Sequence, residues 1–150
     1  AVLNTHGHFD HELGNAFVVR QWNVPIWGPG GDHRHFAAVA RSKRPTHDLQ
    51  GGGTLALPGL AIGVIPTPGH SPGSTCFRIG DRLFSGDTLF HQGVGRTWGT
   101  AAQKRRAQAQ MFHAIRTRLY PLGEHVRVHT GHGRSTTLGH ERRANPFVRG

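Results

Sequence analysis

The sequence predicts a layered α/β (α+β) domain in which helices pack on sheets that contain antiparallel strand pairs. Two observations indicate this class: strand-like segments joined by tight turns fill the middle of the chain, and helix-like segments precede and follow them. The 150 residues are enough for one domain with a buried core. No internal repeat divides them, so we expect a single domain over residues 1–150.

The first third of the chain is predicted to alternate short strands with helices. Residues 1–4 are an apolar strand, residues 11–23 carry apolar side chains at helical spacing, and residues 25–27 form a strand after a turn. Asp32 is in position to cap a helix that continues to about residue 42. The polar residues 43–53, which end in three glycines, are predicted to be a flexible loop beside the functional site.

The middle of the chain is predicted to contain two antiparallel strand pairs. Residues 54–57 and 60–66 are joined by a Pro-Gly dipeptide, which is typical of a turn. Residues 74–79 and 82–84 form a hairpin around Gly-Asp.

The last third is predicted to be mainly helical. After a glycine-rich loop over residues 86–99, Thr100 and Gln103 have the spacing of a capping box that opens a long helix. Residues 125–129 are a final strand, and residues 137–144 are a short helix that ends before a proline.

Composition narrows the possible functions only partly. Eighteen Lys and Arg against eight Asp and Glu give a net charge of +10, which permits nucleic acid, an anionic surface or an anionic small molecule as partner. The single cysteine, Cys76, excludes an intrachain disulfide and lies in a strand-like segment, where a buried structural thiol is expected. No apolar run reaches the length of a membrane helix and no signal peptide opens the chain, so we expect a cytoplasmic protein outside the membrane.

The most informative segment is Thr-His-Gly-His-Phe-Asp-His at residues 5–11, which holds the potential metal ligands His6, His8, Asp10 and His11. Imidazole and carboxylate ligands without cysteine suit a borderline ion such as zinc. His6 and His8 leave the same face of an extended segment, and Asp10 and His11 can point back from a helix start. The two pairs are enough to begin two adjacent metal sites.

Three distant residues can complete the coordination. His70 in Thr-Pro-Gly-His-Ser-Pro-Gly, Asp87 in Ser-Gly-Asp-Thr and His132 in Gly-His-Gly each follow a candidate strand and have glycine beside them. Loops at strand ends are where sites are usually built, and glycine allows the backbone to approach closely. His129 is a rival to His132, but it lies within the predicted strand and is the weaker candidate.

With these residues the chain resembles the metallo-β-lactamase-fold hydrolases, and among them the glyoxalase II-like single-domain branch. The superfamily resemblance is carried by the motifs at residues 5–11, 67–74, 85–90 and 131–133. The branch resemblance is carried by Gly-Val-Gly-Arg-Thr at 93–97, Tyr-Pro-Leu-Gly at 120–123 and the segment at 136–147.

The resemblance implies an αββα sandwich with a binuclear site. His6, His8 and His70 would hold the first metal, and Asp10, His11 and His132 would hold the second. Asp87 would bridge the two ions, for which zinc is the first choice, with iron and manganese as alternatives.

The sequence departs from the family pattern in three places. Only residues 1–4 precede the first histidine motif, where the family has several strands, so we expect the N-terminal strands to be lacking and a second copy or a partner chain to cover an exposed sheet edge. Trp98 stands where the branch carries an acidic residue, and the chain ends without a C-terminal helical domain.

The activity implied by the resemblance is hydrolysis of a thioester such as S-lactoylglutathione by a hydroxide shared between the two metals. Asp10 and Asp87 would act at this nucleophile, Asp10 by orienting it and Asp87 by bridging the ions. A thioester suits such a site because its leaving thiol has a pKa of about 8.5 and departs as thiolate. Arg96, Arg142 and Arg143 are expected to attract the carboxylates of the substrate.

Two other functions stay open from the sequence. The same kind of site serves phosphodiesterases and nucleases, and the net charge of +10 favours nucleic acid, although there is no basic run interleaved with aromatic residues. A non-catalytic basic binding subunit is the third possibility, against which stands the full set of seven potential ligand residues. Metal content and turnover of a thioester separate the three.

Overall fold

The described residues form two main sheets with helices packed beside them. The structure is a computed structural model that describes residues 1–36, 45–49 and 51–150. A three-stranded sheet comes from the first third of the chain, and a six-stranded sheet comes from the remainder. The combination of helices with parallel and antiparallel pairs confirms the predicted α/β (α+β) class.

The small sheet is built from strands that are separated by helices. In chain order the elements are β1 (Val2–Leu3), α1 (Phe9–Glu12), α2 (Asn15–Trp22), β2 (Ile26–Gly28), a 3-10 turn (Gly30–Asp32), α3 (His33–Phe36) and β3 (His47–Asp48). The strands pair in parallel in the order β1-β2-β3. Parallel neighbours need crossover connections, and α1 with α2 supplies the connection between β1 and β2.

Two predictions for this part of the chain need correction. The helix expected over residues 11–23 is two helices, because Leu13 and Gly14 form a turn between α1 and α2. Residues 47–48 were expected in a loop but form β3, because they pair with β2. Residues 37–42 of the predicted helix at Asp32, and residues 43, 44 and 50 of the predicted loop, lie outside the described residues.

The large sheet is mainly an antiparallel meander. The remaining elements are, in order, β4 (Gly53–Leu57), β5 (Leu60–Pro66), β6 (Thr75–Ile79), β7 (Arg82–Gly86), β8 (Leu89–Phe90), β9 (Gly93–Val94), α4 (Ala101–Ala114), β10 (Arg127–Thr130), β11 (Thr136–Thr137) and α5 (Leu138–Ala144). Strand order is β11-β10-β7-β6-β5-β4, with β10 parallel to β7. The Pro-Gly turn between β4 and β5 places Gly59 at φ +73, a conformation that glycine adopts without strain.

The long helix packs on one face of the large sheet. Thr100 and Gln103 form the predicted capping box: the Gln103 backbone N–H donates to Thr100 Oγ1 at 3.3 Å, and the Thr100 N–H donates to Gln103 Oε1 at 2.8 Å. Beyond α4, one π-helical turn and one 3-10 turn continue the segment to Leu122. Met111 and Ile115 are fully buried against Leu83 and the other core residues of the sheet. Each such side chain contributes roughly 1.5–3 kcal/mol by burial.

The opposite face of the large sheet packs on the small sheet. Ile62, Val64 and Phe77 are buried there, and Leu3 of β1 packs against them. The resulting order of helix, large sheet and small sheet agrees with the predicted sandwich. Among the described residues, every helix is too short or too polar to span a bilayer.

An apolar surface along α1 and α2 leads us to predict self-association. Leu13, Phe17 and Trp22 are 57–60% exposed, and β1 lies at the edge of the small sheet. Apolar surface of this kind beside a sheet edge is usually covered by another chain. Light scattering should therefore give twice the 16.4 kDa chain mass, and the double substitution Phe17→Glu, Trp22→Glu should give a single chain. A wild-type monomer would contradict this prediction.

Candidate metal centre

The structure brings all seven predicted ligands together at one edge of the sandwich. His6 and His8 follow β1, and Asp10 and His11 lie in α1. The three distant residues lie in loops that follow β5, β7 and β10, namely His70, Asp87 and His132. His6 is 1% exposed whereas the His132 side chain is 57% exposed, so the cluster opens to solvent on the His132 side.

The buried carboxylate of Asp32 joins the two loops that carry the first three histidines. Its Oδ2 accepts from the Gly7 backbone N–H at 3.0 Å and from the Ser71 hydroxyl at 2.6 Å. Its Oδ1 accepts from the Gly73 N–H at 2.7 Å. The sequence assigned Asp32 to a helix cap, and the structure instead makes it the link that holds the His6–His8 segment against the His70 loop.

His6, His8 and His70 form the first group of ligand atoms. The Nδ1 of His8 lies 2.8 Å from the Nε2 of His70, and the ring of His6 stands edge-on to both, with centroid distances of 4.7 and 4.8 Å. The Nδ1 of His70 lies 2.9 Å from the backbone oxygen of Arg96, so it carries the proton and donates to that oxygen. The Nε2 of His70 is left with its lone pair directed at the cluster, which is the arrangement of a metal-binding histidine.

Asp10, His11 and His132 form the second group. The His132 Nε2 lies 3.2 Å from the His11 Nε2 and 3.2 Å from Asp10 Oδ2, and the His11 Nε2 lies 3.6 Å from the same oxygen. Two ligand atoms held by one tetrahedral zinc ion at about 2.0–2.1 Å are about 3.3–3.4 Å apart. The spacing of the three atoms therefore fits a single shared ion.

The carboxylate of Asp87 lies between the two groups. Its Oδ2 is 3.5 Å from the Nε2 of His70 and 3.5 Å from the Nε2 of His132, and its Oδ1 is 3.3 Å from the Nε2 of His11. One carboxylate thus faces a ligand of each group, as a bridging ligand would.

An unpartnered buried atom also fits a cation at this place. His6 Nε2 is buried and finds no hydrogen-bond partner among the described residues. Leaving a buried polar atom of this kind without a hydrogen bond costs roughly 1–3 kcal/mol. Five imidazoles and two carboxylates are moreover a ligand set that divalent ions accept, so the residues fit a pair of metal ions.

Burial and neighbouring charges shift the proton equilibria of the cluster. Burial, with the charges of His11 and His70, lowers the pKa of His6 to about 2, and burial with His70 also lowers the pKa of His8. Burial alone would lower the pKa of His11, but the hydrogen bond and charge of Asp87 raise it overall. Burial would likewise raise the pKa of Asp87, and its hydrogen bond with His11 lowers it overall. The lowered pKa values of His6 and His8 favour the neutral form that can bind a cation, whereas the raised pKa of His11 favours its protonated form, so metal affinity should rise with pH.

The metal-free protein is expected to lose stability as the pH falls below 6.5. His6 has a lowered folded pKa, so between about pH 2 and 6.5 the unfolded chain binds more protons and unfolding is favoured by up to about 1.4 kcal/mol per pH unit. The raised pKa of His11 acts in a different window, because its stabilisation is complete below 6.5 and is lost as the pH rises through the folded value. Urea unfolding of the wild type and of His6→Gln at several pH values measures this, and the free energy of unfolding should fall less steeply below pH 6.5 in the variant. Parallel curves would contradict the assignment.

Two cavities meet at the cluster. The front cavity, of about 630 Å³, opens directly on Asp10, Asp87 and His132, and its other walls are Phe9, Phe90, Val94, Arg96 and Trp98 with His8 and His70. The side cavity, of about 740 Å³, leads from His8 and His70 toward α4.

The other predicted site residues are placed differently. Arg96 lines the front cavity, but neither Arg142 nor Arg143 lines either cavity, and Arg143 instead pairs with Glu124 at 2.6 Å on the surface. The structure thus does not bring these two arginines of α5 to the centre, contrary to expectation. The rival ligand His129 stacks on Phe84, with centroids 5.1 Å apart, and stands outside the ligand groups.

A second group of ligand-type residues, His91, His140 and Glu141, does not have the geometry of a metal site. The two rings are stacked at 21° with centroids 4.9 Å apart, so one ion cannot lie in the planes of both. The buried Glu141 carboxylate already accepts from the Thr136 hydroxyl at 2.6 Å and from the Gln92 backbone N–H at 2.8 Å. This cluster holds the last helix in place.

Replacing Gly131 by alanine should damage the centre. A Cβ atom there would overlap Asp87 Oδ1 and would lie 2.8 Å from His11 Cε1, so the bridging carboxylate must move. We expect zinc affinity to fall by about tenfold to a hundredfold, the effect of disturbing a ligand's support. Chelator competition measures it, with Gly14→Ala as the control, because a Cβ atom at Gly14 meets nothing within 4 Å. Equal zinc affinity in the two variants would count against the arrangement.

The sandwich and its histidine–aspartate cluster define the class of metal-dependent hydrolases. The family model described as the Metallo-beta-lactamase superfamily matches residues 1–137, and the chain belongs to that superfamily. The resemblance drawn from the sequence motifs is thereby confirmed.

Individual relatives share most of the chain. Hydroxyacylglutathione hydrolase GloC of Haemophilus influenzae is 34% identical over 98% of this chain and 74% of its own length. The crystal structure of BLEG-1 B3 metallo-beta-lactamase has a TM-score of 0.85 at 31% identity, covering all of this chain and 77% of that one. The crystal structure of TTHA1623 in a di-iron-bound form has a TM-score of 0.78 at 35% identity, covering 99% and 77%.

Proposed function

We propose that this chain hydrolyses thioesters of acylated thiols, of which S-lactoylglutathione is the type. The observation that carries the proposal is the position of Asp87, whose carboxylate faces both ligand groups at the floor of an open cavity. A similar activity is named in the relative GloC, a hydroxyacylglutathione hydrolase.

Seven residues would hold two divalent ions. His6, His8 and His70 would bind the first, and Asp10, His11 and His132 the second, with Asp87 shared. We propose zinc, with iron and manganese as alternatives, and the di-iron form of TTHA1623 supports iron among them. When bound, such a pair supplies a hydroxide at neutral pH and polarises a carbonyl oxygen.

The residues of the chain orient the substrate and shield it from water. Phe9, Phe90 and Val94 give the front cavity apolar walls, which strengthen electrostatic interactions at the reacting carbonyl. Arg96 lies on the same cavity and would attract a carboxylate of the thiol part. Asp10, beside the exposed His132, is placed to accept a hydrogen bond from the attacking oxygen and to orient it.

The leaving group distinguishes thioesters from the alternative suggested by BLEG-1, a metallo-beta-lactamase. An amine leaving group needs a proton, whereas a thiol with a pKa of about 8.5 leaves as thiolate. Apart from the proposed ligands, the described residues that line the front cavity are Phe9, Phe90, Val94, Arg96 and Trp98. None of them is a His, Glu, Asp, Lys, Tyr or Cys, the residue types that usually act as general acids, and this favours the thioester.

The proposal is tested by loading purified protein separately with zinc, iron(II) and manganese(II). Elemental analysis should give two ions per chain, and the loaded protein should hydrolyse S-lactoylglutathione faster than nitrocefin or bis(p-nitrophenyl) phosphate. The phosphodiester serves as the arm for the nucleic-acid alternative, which the net charge of +10 motivates. Two bound ions with no thioester turnover would overturn the activity, and a preparation that binds no ion would overturn the centre as well.

A cytoplasmic location stays a prediction.

A further inference from the structure

The side cavity is joined to the front cavity by shared walls. Trp98, His8 and His70 line both, so the indole of Trp98 stands at the border between them. Its ring lies edge-on to that of His8, with centroids 6.4 Å apart and planes at 90°. A thioester bound with its carbonyl at the centre extends its acyl group in one direction and its thiol part in the other, and two cavities adjoin the centre.

The backbone on each side of Trp98 is anchored. On one side the Arg96 carbonyl accepts a hydrogen bond from His70 at 2.9 Å, so this segment is tied to a proposed ligand. On the other side Gly99, at φ +102, leads into the capping box of Thr100 and Gln103 that starts α4. The indole is nevertheless 58% exposed. An apolar ring held in place but left uncovered is a surface prepared for a ligand.

The two cavities differ in charge. No Asp, Glu, Lys or Arg lines the side cavity among the described residues. Apart from two glycines, its walls are Pro72, Trp98, Ala107, Ser71, Gln103, Gln110 and the three histidines His8, His35 and His70. The front cavity has Arg96 in its wall. An anionic thiol part such as that of glutathione therefore fits the front cavity, and an uncharged group fits the side cavity.

We propose that the side cavity binds the acyl group of the thioester and that Trp98 selects uncharged aromatic acyl groups over small ones. The inference rests on the proposed thioester hydrolysis and specifies its substrate class. The cavity of about 740 Å³ is in the range of sites that bury drug-sized ligands, so it has room for an aryl acyl group.

The effect of Trp98 should be seen in a ratio of rates. Phenylacetyl and acetyl thioesters of N-acetylcysteamine share one uncharged thiol and differ only in the acyl group. For the metal-loaded wild type we expect the phenylacetyl ester to have the higher kcat/KM. Trp98→Ala should lower the ratio of the two by about tenfold to a hundredfold, the scale at which an apolar pocket discriminates, and Trp98→Phe should retain most of it.

Phe147→Ala is the matched control. Its ring is 50% exposed, much like the indole of Trp98, but it lies beyond the end of α5 and lines neither cavity. The ratio in this variant should equal that of the wild type. A ratio that is unchanged in Trp98→Ala, or that falls equally in Phe147→Ala, overturns the inference.

A binding measurement separates this inference from the proposed activity. S-(2-phenylethyl)-N-acetylcysteamine, in which a methylene replaces the carbonyl, is a thioether that cannot be hydrolysed. Isothermal titration calorimetry should show that it binds the wild type and Phe147→Ala more tightly than the S-ethyl analogue does, and Trp98→Ala should lose that difference. If no thioester is turned over but this binding pattern is seen, the proposed function fails and the aromatic site stands. If thioesters are turned over but binding does not depend on Trp98, the inference fails and the proposed function stands.

Discussion

Asp87→Ala should remove at least about a thousandfold of kcat/KM for a thioester, because a ligand shared by two ions contributes several kcal/mol to transition-state stabilisation. The carboxylate faces His70 and His132 with one oxygen and His11 with the other, and no second described carboxylate occupies that position. We also expect the variant to hold fewer than two ions per chain. Steady-state kinetics and elemental analysis of the same preparation measure both effects.

Asp81→Ala is the control for this substitution. Asp81 lies in the turn between β6 and β7, and its side chain is 73% exposed beside His125. Removing it should change neither metal content nor kcat/KM, since an exposed pair of this kind is worth at most about 1 kcal/mol. A variant at Asp87 that keeps two ions and wild-type turnover would exclude a bridging role.

Asp32→Ala should disrupt the arrangement of the first group of ligand atoms, although Asp32 is not itself a proposed ligand. The carboxylate is fully buried and accepts three hydrogen bonds, from Gly7, Ser71 and Gly73. Its removal leaves the N–H groups of Gly7 and Gly73 without their acceptor, while the Ser71 hydroxyl keeps only its contact with the Ser74 hydroxyl at 2.8 Å. This should lower the free energy of unfolding by about 3–5 kcal/mol. The loops that carry His6, His8 and His70 would separate, and zinc affinity should fall by about tenfold to a hundredfold.

Urea unfolding of the metal-free protein and chelator competition at a temperature where the variant stays folded separate stability from metal binding. Glu124→Gln is the control, because it removes the surface ion pair with Arg143, which is worth at most about 1 kcal/mol. If Asp32→Ala keeps the stability and the zinc affinity of the control, Asp32 does not position the ligands.

Elements with local signals could be predicted from the sequence. The hairpins follow from turn residues, and the start of α4 follows from the spacing of Thr100 and Gln103. β3 could not be predicted, since residues 47–48 are polar and become a strand only by pairing with β2, about twenty positions earlier along the chain. Leu13 and Gly14 form the turn that divides one predicted helix, and glycine is a poor helix former.

The grouping of the proposed ligands could be predicted because histidines and carboxylates stand in dense motifs directly after strands. The residues that hold these loops in place, such as Asp32, could not be predicted. Asp32 meets Ser71 and Gly73, which are 39 and 41 positions away, and an acid before a helix also has the ordinary signature of a cap. Arg142 and Arg143 were expected at the substrate because they lie in a family-like segment, but the direction of α5 turns Arg143 toward Glu124.

Anomalous diffraction at the zinc edge from crystals of the zinc-loaded protein tests the central claim most directly. We expect two peaks about 3.5–4 Å apart, one against His6, His8 and His70 and the other against Asp10, His11 and His132, with Asp87 between them. A single peak, or zinc bound at His91 and His140 instead, would contradict it.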